Sequence, residues 1–382
     1  MARRLTWCEV STGALAANLR EFRSLVGPRC ELAVVVKSNA YGHGLVLASR
    51  AFRDAGADVL CVQDLWEAEA LREAGIGSPV HVLGRVEPDQ APEAVALDVS
   101  LVVYDADLLR ALDASTPPGR RTRIHLKVET GTHRQGVSLE EALALADLAR
   151  SLRGVEVAGV ASHFADVEDT THHDFARRQM DLFREALEAV RGAGWPGARG
   201  DLANSAATIL WPEAHLDRVR LGIGAYGMWP SAETRVSAAM IHRDQVSLRP
   251  ALTWKSRIAQ VKKIATGEFI GYGRTWRTPR PTLLAVIPVG YADGYDRGLS
   301  NLAHVLIRGQ RAAVRGRVCM NMTMVDVTDI PGVVPGEEVV LLGSQGDETL
   351  TAERLAQWAG TINYEITTRI AESVPRVPVE TT

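Results

Sequence analysis

The sequence predicts an α/β protein in which a (β/α)8 TIM-type barrel is followed by a mostly β C-terminal domain. Its 382 residues exceed the length of one ordinary domain. From about residue 30 to 225, short runs of Val, Ile and Leu alternate with stretches whose apolar residues recur roughly every three or four positions. After Trp229-Pro230, strand-like segments separated by Gly, Pro, Asp and Asn replace that rhythm. A doubly wound sheet is the alternative for the first part.

The first part contains eight candidate strands, which is the number that a closed barrel of this type needs. These strands are Ala33-Val36, Val59-Val62, Val80-Leu83, Ser100-Tyr104, Arg123-Val128, Val155-Ser162, Asp201-Ala203 and Arg218-Leu221. Helical patterns lie between them, and several end at glycine, as helices commonly do. The clearest helical patterns are Leu45-Ala55, Leu65-Ala74, Glu140-Leu152 and Phe175-Arg191.

The second part reads as mostly β, with one clear helix at Ala352-Ala359. Its candidate strands are Leu252-Ile264, Thr282-Val289, His304-Ile307, Arg311-Val318 and Val339-Gly343. We assign residues 11–235 to the barrel and residues 236–382 to the β-domain. We expect residues 1–10 to form a strand that joins the β-domain.

Composition narrows the classes of function. The formal net charge of -3 supplies no field that would attract a polyanion, so nucleic acid is not expected as a partner. The four cysteines lie far apart and pair with no histidine at a metal-binding spacing, so neither disulfides nor a metal site are indicated. No apolar run is long enough for a signal peptide or a membrane span, so we expect a cytoplasmic protein without a membrane partner.

A lysine at the end of the first barrel strand is the leading catalytic candidate. Lys37 directly follows the apolar run Ala33-Val36 and therefore faces the barrel mouth, where active sites of such barrels lie. Partial desolvation there lowers the pKa of an amine and frees it to attack a carbonyl. The alternative is a lysine that extends into solvent. The following Tyr41-Gly42-His43-Gly44 favours chemistry, because it supplies a hydroxyl and glycines that permit close approach.

The segment Val-Val-Lys-Ser-Asn-Ala-Tyr-Gly-His-Gly around Lys37 closely resembles the pyridoxal-phosphate attachment motif of alanine racemases. The resemblance continues through almost the whole chain, and the family's architecture is also a barrel followed by a β-domain. It implies that Lys37 binds pyridoxal 5'-phosphate covalently. It further implies an isomerase that interconverts L-alanine and D-alanine and supplies D-alanine for peptidoglycan.

Two segments after the seventh and eighth strands are suited to a phosphate, which such barrels commonly bind there. Ala203-Asn204-Ser205-Ala206 offers a hydroxyl, and Arg220-Leu221-Gly222-Ile223-Gly224 offers glycine-rich backbone. Either segment alone is a weak signal, since glycine-rich loops are common in turns. Both resemble the family's phosphate-binding segments. The resemblance implies that the cofactor is held by Tyr41, Asn204, Ser205, Gly222, Ile223 and Tyr364.

Arg220 matches the family arginine that faces the pyridine nitrogen of the cofactor. A guanidinium has donors and no acceptor and keeps its proton, so the ring nitrogen must remain an unprotonated acceptor. The cofactor is then a weaker electron sink, which favours removal and return of the α-proton over transamination. The alternative is an arginine at the surface, ion-paired with Asp217.

Racemisation needs a base on each face of the α-carbon. Lys37 serves as one base, and the resemblance of Phe269-Ile270-Gly271-Tyr272-Gly273 to the family's tyrosine segment implies that Tyr272 is the other. A tyrosine needs a cation or a hydrogen-bond donor to act near neutral pH. His163 matches the family histidine that links this tyrosine to the arginine. Without the resemblance, Tyr272 and His163 would be assigned as a turn aromatic and a strand-end histidine.

The resemblance also assigns the substrate side. Arg134 and Met320 match residues near the substrate carboxylate, and Lys127 matches a lysine that is often carbamylated and then supports the arginine. Tyr291, Arg297 and Arg317 match the corridor by which substrate enters. We interpret Asp293 and Asp296 as turn residues there, although a carboxylate pair could also suggest a glycosidase.

In the family, barrel and β-domain residues of two chains meet in each active site, which implies a head-to-tail C2 homodimer. His133, Gln135 and Asn321 depart from the usual family residues near the substrate side, so the preference between alanine and serine stays open. The alternatives are a broader amino-acid racemase, a decarboxylase of the same fold, and a non-enzymatic pyridoxal-phosphate-binding protein. Arg220 argues against decarboxylation, which needs a strong electron sink, and the β-domain argues against the single-barrel binding protein.

Overall fold

The computed structural model describes residues 5–380. It divides into a barrel unit, Ala14–Ser38 and Ala48–Arg249, and a β unit, which contains the residues up to Gly13, Asn39–Leu47 and the chain from Pro250 onward. Residues 1–4 of the predicted N-terminal strand and residues 381–382 of the predicted β-domain lie outside the described part. The first described strand, β1 (Thr6–Ser11), belongs to the β unit.

Eight parallel strands close into a barrel, which confirms the predicted fold. In spatial and chain order they are β2 (Glu31–Val35), β3 (Val59–Val62), β4 (Val80–Val82), β5 (Ser100–Val103), β6 (Thr122–Lys127), β7 (Val155–Ala161), β8 (Arg199–Asp201) and β9 (Arg218–Leu221). Most of their residues are buried aliphatic side chains, as expected for parallel strands covered on both faces. Pairing between β2 and β9 completes the ring.

Helices connect the strands of the barrel. They are α1 (Thr12–Val26), α2 (Lys37–Tyr41), α3 (Leu45–Asp54), α4 (Leu65–Glu73), α5 (Ala91–Ala96), α6 (Ala106–Ser115), α7 (Leu139–Ser151), α8 (Asp174–Gly192), α9 (Ser205–Leu210) and α10 (Ala232–Met240). Side-chain caps begin several of them. Asp105 caps α6 and Asn204 caps α9, while Ser138 and Glu141 form a capping box on α7.

The seventh barrel strand, β8, differs from its prediction. The structure places it at Arg199–Asp201, where it pairs with β7, whereas the apolar Leu202 and Ala203 had suggested a strand two residues further on. This strand carries charged residues because it borders a polar barrel centre. Asp201 therefore ends a strand and does not begin one. The division between units after Arg249 also leaves α10 with the barrel.

The β unit is built on one mixed sheet. Its strands are β10 (Leu252–Arg257), β11 (Gln260–Ile264), β12 (Phe269–Ile270), β13 (Trp276–Arg277), β14 (Thr282–Ile287), β15 (His304–Ile307), β16 (Gln310–Val314), β17 (Thr323–Asp326), β18 (Glu338–Gln345), β19 (Glu348–Leu350) and β20 (Arg376–Val379). The large sheet runs β11-β14-β17-β16-β15-β18-β10-β1-β20, and β12 pairs with β13 separately. Strand β1 pairs antiparallel with β10 and parallel with β20.

Two helices complete this unit, α11 (Ala352–Ala359) and α12 (Asn363–Thr368). The first confirms the predicted helix, with Thr351 as its N-cap and Gly360 at its C-terminal end. The predicted single strand Leu252-Ile264 is divided into β10 and β11. Those two strands pair with different partners, β18 and β14, so the chain changes place in the sheet between them.

Candidate active site

Lys37 lies two residues after the end of β2 and is half-buried at the carboxyl end of the barrel strands. Its ammonium donates to the side-chain oxygen of Gln63, which follows β3, at 3.1 Å. Burial lowers the pKa of Lys37, and the nearby charge of Arg134 lowers it further. A lowered pKa makes the neutral, nucleophilic form of this amine more accessible than that of an exposed lysine.

Glu67 in α4 fixes the backbone around this lysine. It is almost fully buried, and its carboxylate accepts from the backbone N–H of Ser38 at 2.6 Å and of Gln63 at 2.7 Å. One side chain therefore ties the ends of β2 and β3 together. Neither Glu67 nor Gln63 was identified from the sequence, although a glutamate in the first turn of a helix that follows a barrel strand is a suitable signal.

The chain after Lys37 makes a left-handed turn. Ser38, Asn39, Ala40 and Tyr41 all have φ between +53° and +55°, which is unfavourable for residues with a side chain. Asn39 stabilises the turn: its side chain accepts from Leu45 N at 2.8 Å, and its carbonyl accepts from two glycine N–H groups that follow. This unusual backbone gives the segment a shape that no ordinary helix or strand provides.

Within the β unit, the same loop is held by residues near the C-terminal end. Arg376 donates to the carbonyl of Gly42 at 2.8 Å, and the rings of Tyr41 and Tyr364 lie 6.0 Å apart between centroids. Gly42 has φ of +87°, and a Cβ there would collide with the carbonyl oxygen of Thr367. Two tyrosines predicted to hold a cofactor thus lie together.

Arg220 is buried in β9 and held by four acceptors. It donates to the carboxylate and the carbonyl of Asp201, to the carbonyl of Ser162 at 2.6 Å, and to Nδ1 of His163 at 3.4 Å. Its ion-pair partner is therefore Asp201 and not the suggested Asp217, which pairs with Arg191. Asp201 was not predicted as a site residue because it was assigned to the first position of the strand Asp201-Ala203.

His163 has a defined protonation state in this setting. Burial, followed by the charge of Arg220, lowers the pKa of His163 well below its ordinary value, so the ring is neutral near pH 7. Since a guanidinium can only donate, Nδ1 is the acceptor and Nε2 carries the hydrogen. His163 therefore presents a hydrogen-bond donor. Its predicted partner Tyr272 belongs to the β unit, and the link between them stays a prediction.

Lys127 ends β6 with an unusual pKa. Burial, together with the charge of Arg220, lowers its pKa to about 7. At neutral pH, Lys127 is then a neutral amine in a substantial fraction of the molecules. Neutral amines react with carbon dioxide, so the environment suits the modification that the resemblance implies for this residue. Arg134, its expected partner, lies on the exposed loop after β6.

Ser205 joins the two segments predicted to bind phosphate. Its hydroxyl accepts from the backbone N–H of Gly222 at 2.9 Å and of Gly224 at 3.3 Å. Asn204 caps the helix that Ser205 begins, and its amide donates to Glu168 at 2.8 Å. Ile223 is buried beside them. The loops after β8 and β9 thus meet in one cluster of hydroxyl and backbone donors.

The predicted substrate residues of the β unit lie on loops that contact each other. Tyr291 N donates to the carbonyl of Cys319 at 3.0 Å, and Ala292 N donates to that of Met320 at 2.9 Å. A Cβ at Gly273, next to Tyr272, would lie 3.1 Å from Nε of Arg317. Tyr272 and Met320 are 73% and 56% exposed, so this unit presents large side chains on its surface.

Asp293 and Asp296 serve the local backbone, as expected for turn residues. Asp293 accepts from Gly290 N at 2.9 Å, and Asp296 accepts from Gly298 N at 2.6 Å and pairs with Arg369. The exposed Arg297 lies in the same turn. Neither carboxylate has the desolvated environment that a catalytic acid needs.

One further cluster was not expected from the sequence. His81, His125 and Asp201 come from three different strands, and their potential ligand atoms all lie within 4.8 Å of one another in the barrel centre. All three are buried, and the two imidazole rings lie 4.5 Å apart. Barrel closure brings these residues together, and their spacing along the chain carries no such signal.

The closed barrel, the partly desolvated lysine at a strand end and the donor cluster in the loops after β8 and β9 form the candidate site of a barrel enzyme. Residues 10–230 match the family model "Alanine racemase, N-terminal domain", and residues 251–378 match "Alanine racemase, C-terminal domain". The chain belongs to the alanine racemase family, whose members are isomerases.

Similar proteins cover nearly the whole chain. The alanine racemase of Symbiobacterium thermophilum is 43% identical over 98% of this chain and 97% of its own length, and that of Desulforamulus reducens is 41% identical over 97% and 98%. Among solved structures, alanine racemase from Bacillus anthracis with bound L-Ala-P has a TM-score of 0.92 at 33% identity, covering 100% of this chain and 96% of that one. None of the described helices is long and apolar enough to span a bilayer.

Proposed function

We propose that this protein is a pyridoxal-5'-phosphate-dependent alanine racemase, which interconverts L-alanine and D-alanine. The observation that carries the proposal is the half-buried Lys37, whose pKa is lowered at the mouth of a barrel of the alanine racemase family. An amine of this kind is suited to covalent attachment of an aldehyde cofactor. Supply of D-alanine for peptidoglycan is the corresponding cellular role.

The donor cluster after β8 and β9 suits the cofactor's phosphate. The hydroxyl of Ser205 and the backbone N–H groups of Gly222 and Ile223 are the donors we assign, with Asn204 holding the loop. We assign Tyr41 and Tyr364, which lie together in the β unit, to the same group. Hydroxyl and backbone N–H donors of this kind fit a phosphate.

Arg220 is suited to the cofactor's ring nitrogen. Its guanidinium is permanently charged and can only donate, so a ring nitrogen facing it must stay unprotonated. When bound, the cofactor's aldehyde joins covalently to the amino group of an amino acid and weakens its Cα–H bond. With an unprotonated ring, the cofactor would be a weaker electron sink. This favours reversible transfer of the α-proton and argues against decarboxylation.

Two side chains then move the α-proton. Lys37 would remove or return the proton on one face of the α-carbon, and the phenol of Tyr272 would do so on the other. The neutral His163, with a hydrogen on Nε2, is a donor of the kind that stabilises a tyrosinate. Arg134 and the backbone N–H of Met320 bind the substrate carboxylate.

We assign the remaining residues to support and access. Carbamylation of Lys127 would convert an amine surrounded by positive charge into an anion that can support Arg134. Tyr291, Arg297 and Arg317 line the corridor by which alanine enters. The backbone hydrogen bonds between the loops of Tyr291 and Met320 support a common role for these two residues.

The β unit supports a homodimer with shared sites. Tyr272, Tyr291, Met320 and Met322 are all at least 44% exposed, although large side chains of this kind are usually covered. A second copy of the chain, related by a two-fold axis, would cover them and would bring Tyr272 and Met320 to the barrel of its partner.

A mass measurement tests the central assignment. Protein saturated with pyridoxal 5'-phosphate is reduced with borohydride and digested, and we expect the adduct on the peptide that contains Lys37. Lys37→Ala should lose the adduct and racemisation, while replacement of the exposed Lys262 by alanine should keep both. An adduct elsewhere, or none, would overturn the proposal. Assays with alanine, serine and lysine then establish the substrate range.

A further inference from the structure

Asp201 is a fully buried carboxylate at the end of β8 that sequence reasoning assigned no role. It accepts from Arg220 through both its side chain and its carbonyl, the latter at 3.2 Å. The other nitrogen of that guanidinium donates to Ser162 at 2.6 Å. Asp201 thus supplies the charged contact among the acceptors that hold Arg220.

A second arginine shares this carboxylate. Arg218 lies two residues before Arg220 on the same strand and is also buried, with Nη1 4.0 Å from Oδ2 of Asp201. Residues two apart on a strand point to the same side, so both guanidiniums face the barrel centre. Burial alone would raise the pKa of Asp201, but Arg220 and then Arg218 lower it below its ordinary value. The carboxylate is therefore ionised.

The nearby His81 and His125 do not turn this cluster into a cation site. Arg218 Nη1 lies 3.3 Å from Nε2 of His125, and Arg220 occupies one oxygen of Asp201. A divalent cation there would stand next to two guanidiniums that already neutralise the single carboxylate. The charges of this cluster therefore favour a role in which the carboxylate of Asp201 binds arginine side chains.

We propose that Asp201 is a positioning residue, whose carboxylate holds the Arg220 guanidinium in one orientation and so fixes the donor offered to the cofactor's ring nitrogen. The inference rests on the proposed function for the cofactor and extends it to a buried residue. An ionised acceptor gives a stronger and more directional hold on a guanidinium than a neutral one. Without it, the backbone carbonyls of residues 162 and 201 and the ring of His163 remain as neutral acceptors, and the guanidinium can turn.

The first test uses the protein without cofactor. Arginine labelled with 15N gives guanidinium signals, and that of Arg220 is identified by its absence in Arg220→Lys. We expect slow rotation of the Arg220 nitrogens in the unmodified protein, fast rotation in Asp201→Ala, and slow rotation again in Asp201→Asn, whose amide oxygen keeps the hydrogen bond. Unchanged rotation in folded Asp201→Ala would overturn the positioning role.

The second test uses holoenzyme loaded with pyridoxal phosphate carrying 15N in the ring. In Asp201→Ala we expect the ring signal to move toward that of an unbonded, unprotonated pyridine, and kcat to fall about 10- to 100-fold, the loss typical of a charged hydrogen bond. Asp201→Asn should recover most of both. An unchanged ring signal in Asp201→Ala would refute the proposal.

Glu156→Gln is the matched control, since it removes one negative charge from the barrel at a partly exposed position of β7. We expect it to leave both NMR readouts unchanged. If the unmodified protein binds no cofactor, the proposed function fails, and the measurement on Arg220 without cofactor still decides whether Asp201 positions that guanidinium.

Discussion

The amine of Lys37 donates to the amide oxygen of Gln63 at 3.1 Å, so a neutral acceptor on the next strand orients the proposed nucleophile. A carboxylate in the same place would hold the lysine as a charged ammonium. We therefore expect Gln63→Glu to raise the pKa of Lys37 and to slow cofactor capture at neutral pH, because less of the amine is neutral. The rate should fall roughly tenfold if the pKa rises by one.

Gln63→Leu is the matched variant, because it removes the acceptor without adding charge. We expect a smaller loss for it, and we expect only Gln63→Glu to recover as the pH is raised. The measurement is the rate of the absorbance change when the protein without cofactor is mixed with pyridoxal phosphate between pH 6 and 10. Equal pH profiles for the two variants would contradict an electrostatic effect at Gln63.

Ser205 should contribute directly to cofactor affinity. Its hydroxyl accepts from the N–H groups of Gly222 and Gly224, so Ser205→Ala loses a donor to phosphate and the link between the loops after β8 and β9. We expect the Kd for pyridoxal phosphate to rise about tenfold, equivalent to one typical hydrogen bond. Ser49→Ala is the control, since the buried hydroxyl of Ser49 has no hydrogen-bond partner in the described structure. Equal effects of the two variants in equilibrium dialysis would argue against the phosphate assignment.

Lys127 should make stability depend on pH. Its folded pKa of about 7 lies below the ordinary value of 10.5, so below pH 7 the folded state carries the full penalty of a buried ammonium. Between about pH 7 and 10.5 the unfolded lysine still holds a proton that the folded one has released, so stability rises with pH. Above that range the lysine is neutral in both states, and the penalty is gone.

Lys127→Met removes this penalty. Without carbon dioxide, we expect it to increase the free energy of unfolding by at least about 1 kcal/mol at pH 6, with the gain declining toward pH 10.5. Urea denaturation at several pH values measures the difference, and Lys262→Met, at an exposed site, should show none. A gain that is independent of pH would indicate a packing effect in place of an ionisation.

Gly42 is required by its surroundings as well as by its backbone. Gly27 has a similar positive φ of +74°, but no atom lies within 4 Å of the point that a Cβ would occupy there. Gly27→Ala therefore measures the cost of the backbone strain alone, which we expect to be about 1 kcal/mol. Gly42→Ala adds a collision with Thr367, and we expect a further loss of ~1–3 kcal/mol. Thermal unfolding compares the two variants, and equal losses would show that the loop moves aside.

Shared active sites predict complementation between inactive chains. Lys37→Ala and Tyr272→Phe are each expected to be inactive, yet a mixed dimer would contain one intact site built from the unaltered residue of each chain. With free exchange at equal amounts, half of the dimers are mixed, so about a quarter of the activity should return. Absence of recovery, with exchange verified by native mass spectrometry, would refute shared sites.

The strands of the barrel could be predicted wherever they are apolar. Val59–Val62 has the predicted bounds, because an aliphatic run between turns marks a buried parallel strand. Arg218–Leu221 also has its predicted bounds, because Val219 and Leu221 alternate with its two arginines. The prediction failed at Arg199–Asp201, where charged residues face a polar centre. The pattern of hydrophobic residues indicates strands that are buried among apolar side chains. It does not indicate strands that are buried among paired charges.

The site was predictable to the extent that its residues lie in contiguous motifs. Lys37, Ser205 and Arg220 were found through the segments around them, whereas Gln63, Glu67 and Asp201 act from neighbouring strands and helices. The pairing of Asp201 with Arg220 depends on the register between β8 and β9, which closure of the barrel determines. Such contacts follow from the fold and leave no local pattern.

The left-handed turn after Lys37 has a consequence for synthesis of the chain. Its loop packs closely against Thr367 and accepts a hydrogen bond from Arg376, and the ribosome adds both residues more than three hundred positions later. A nascent barrel emerges with this segment still free to sample ordinary right-handed conformations. The loop beside Lys37 can therefore acquire its final form only after the C-terminal part of the chain has been synthesised.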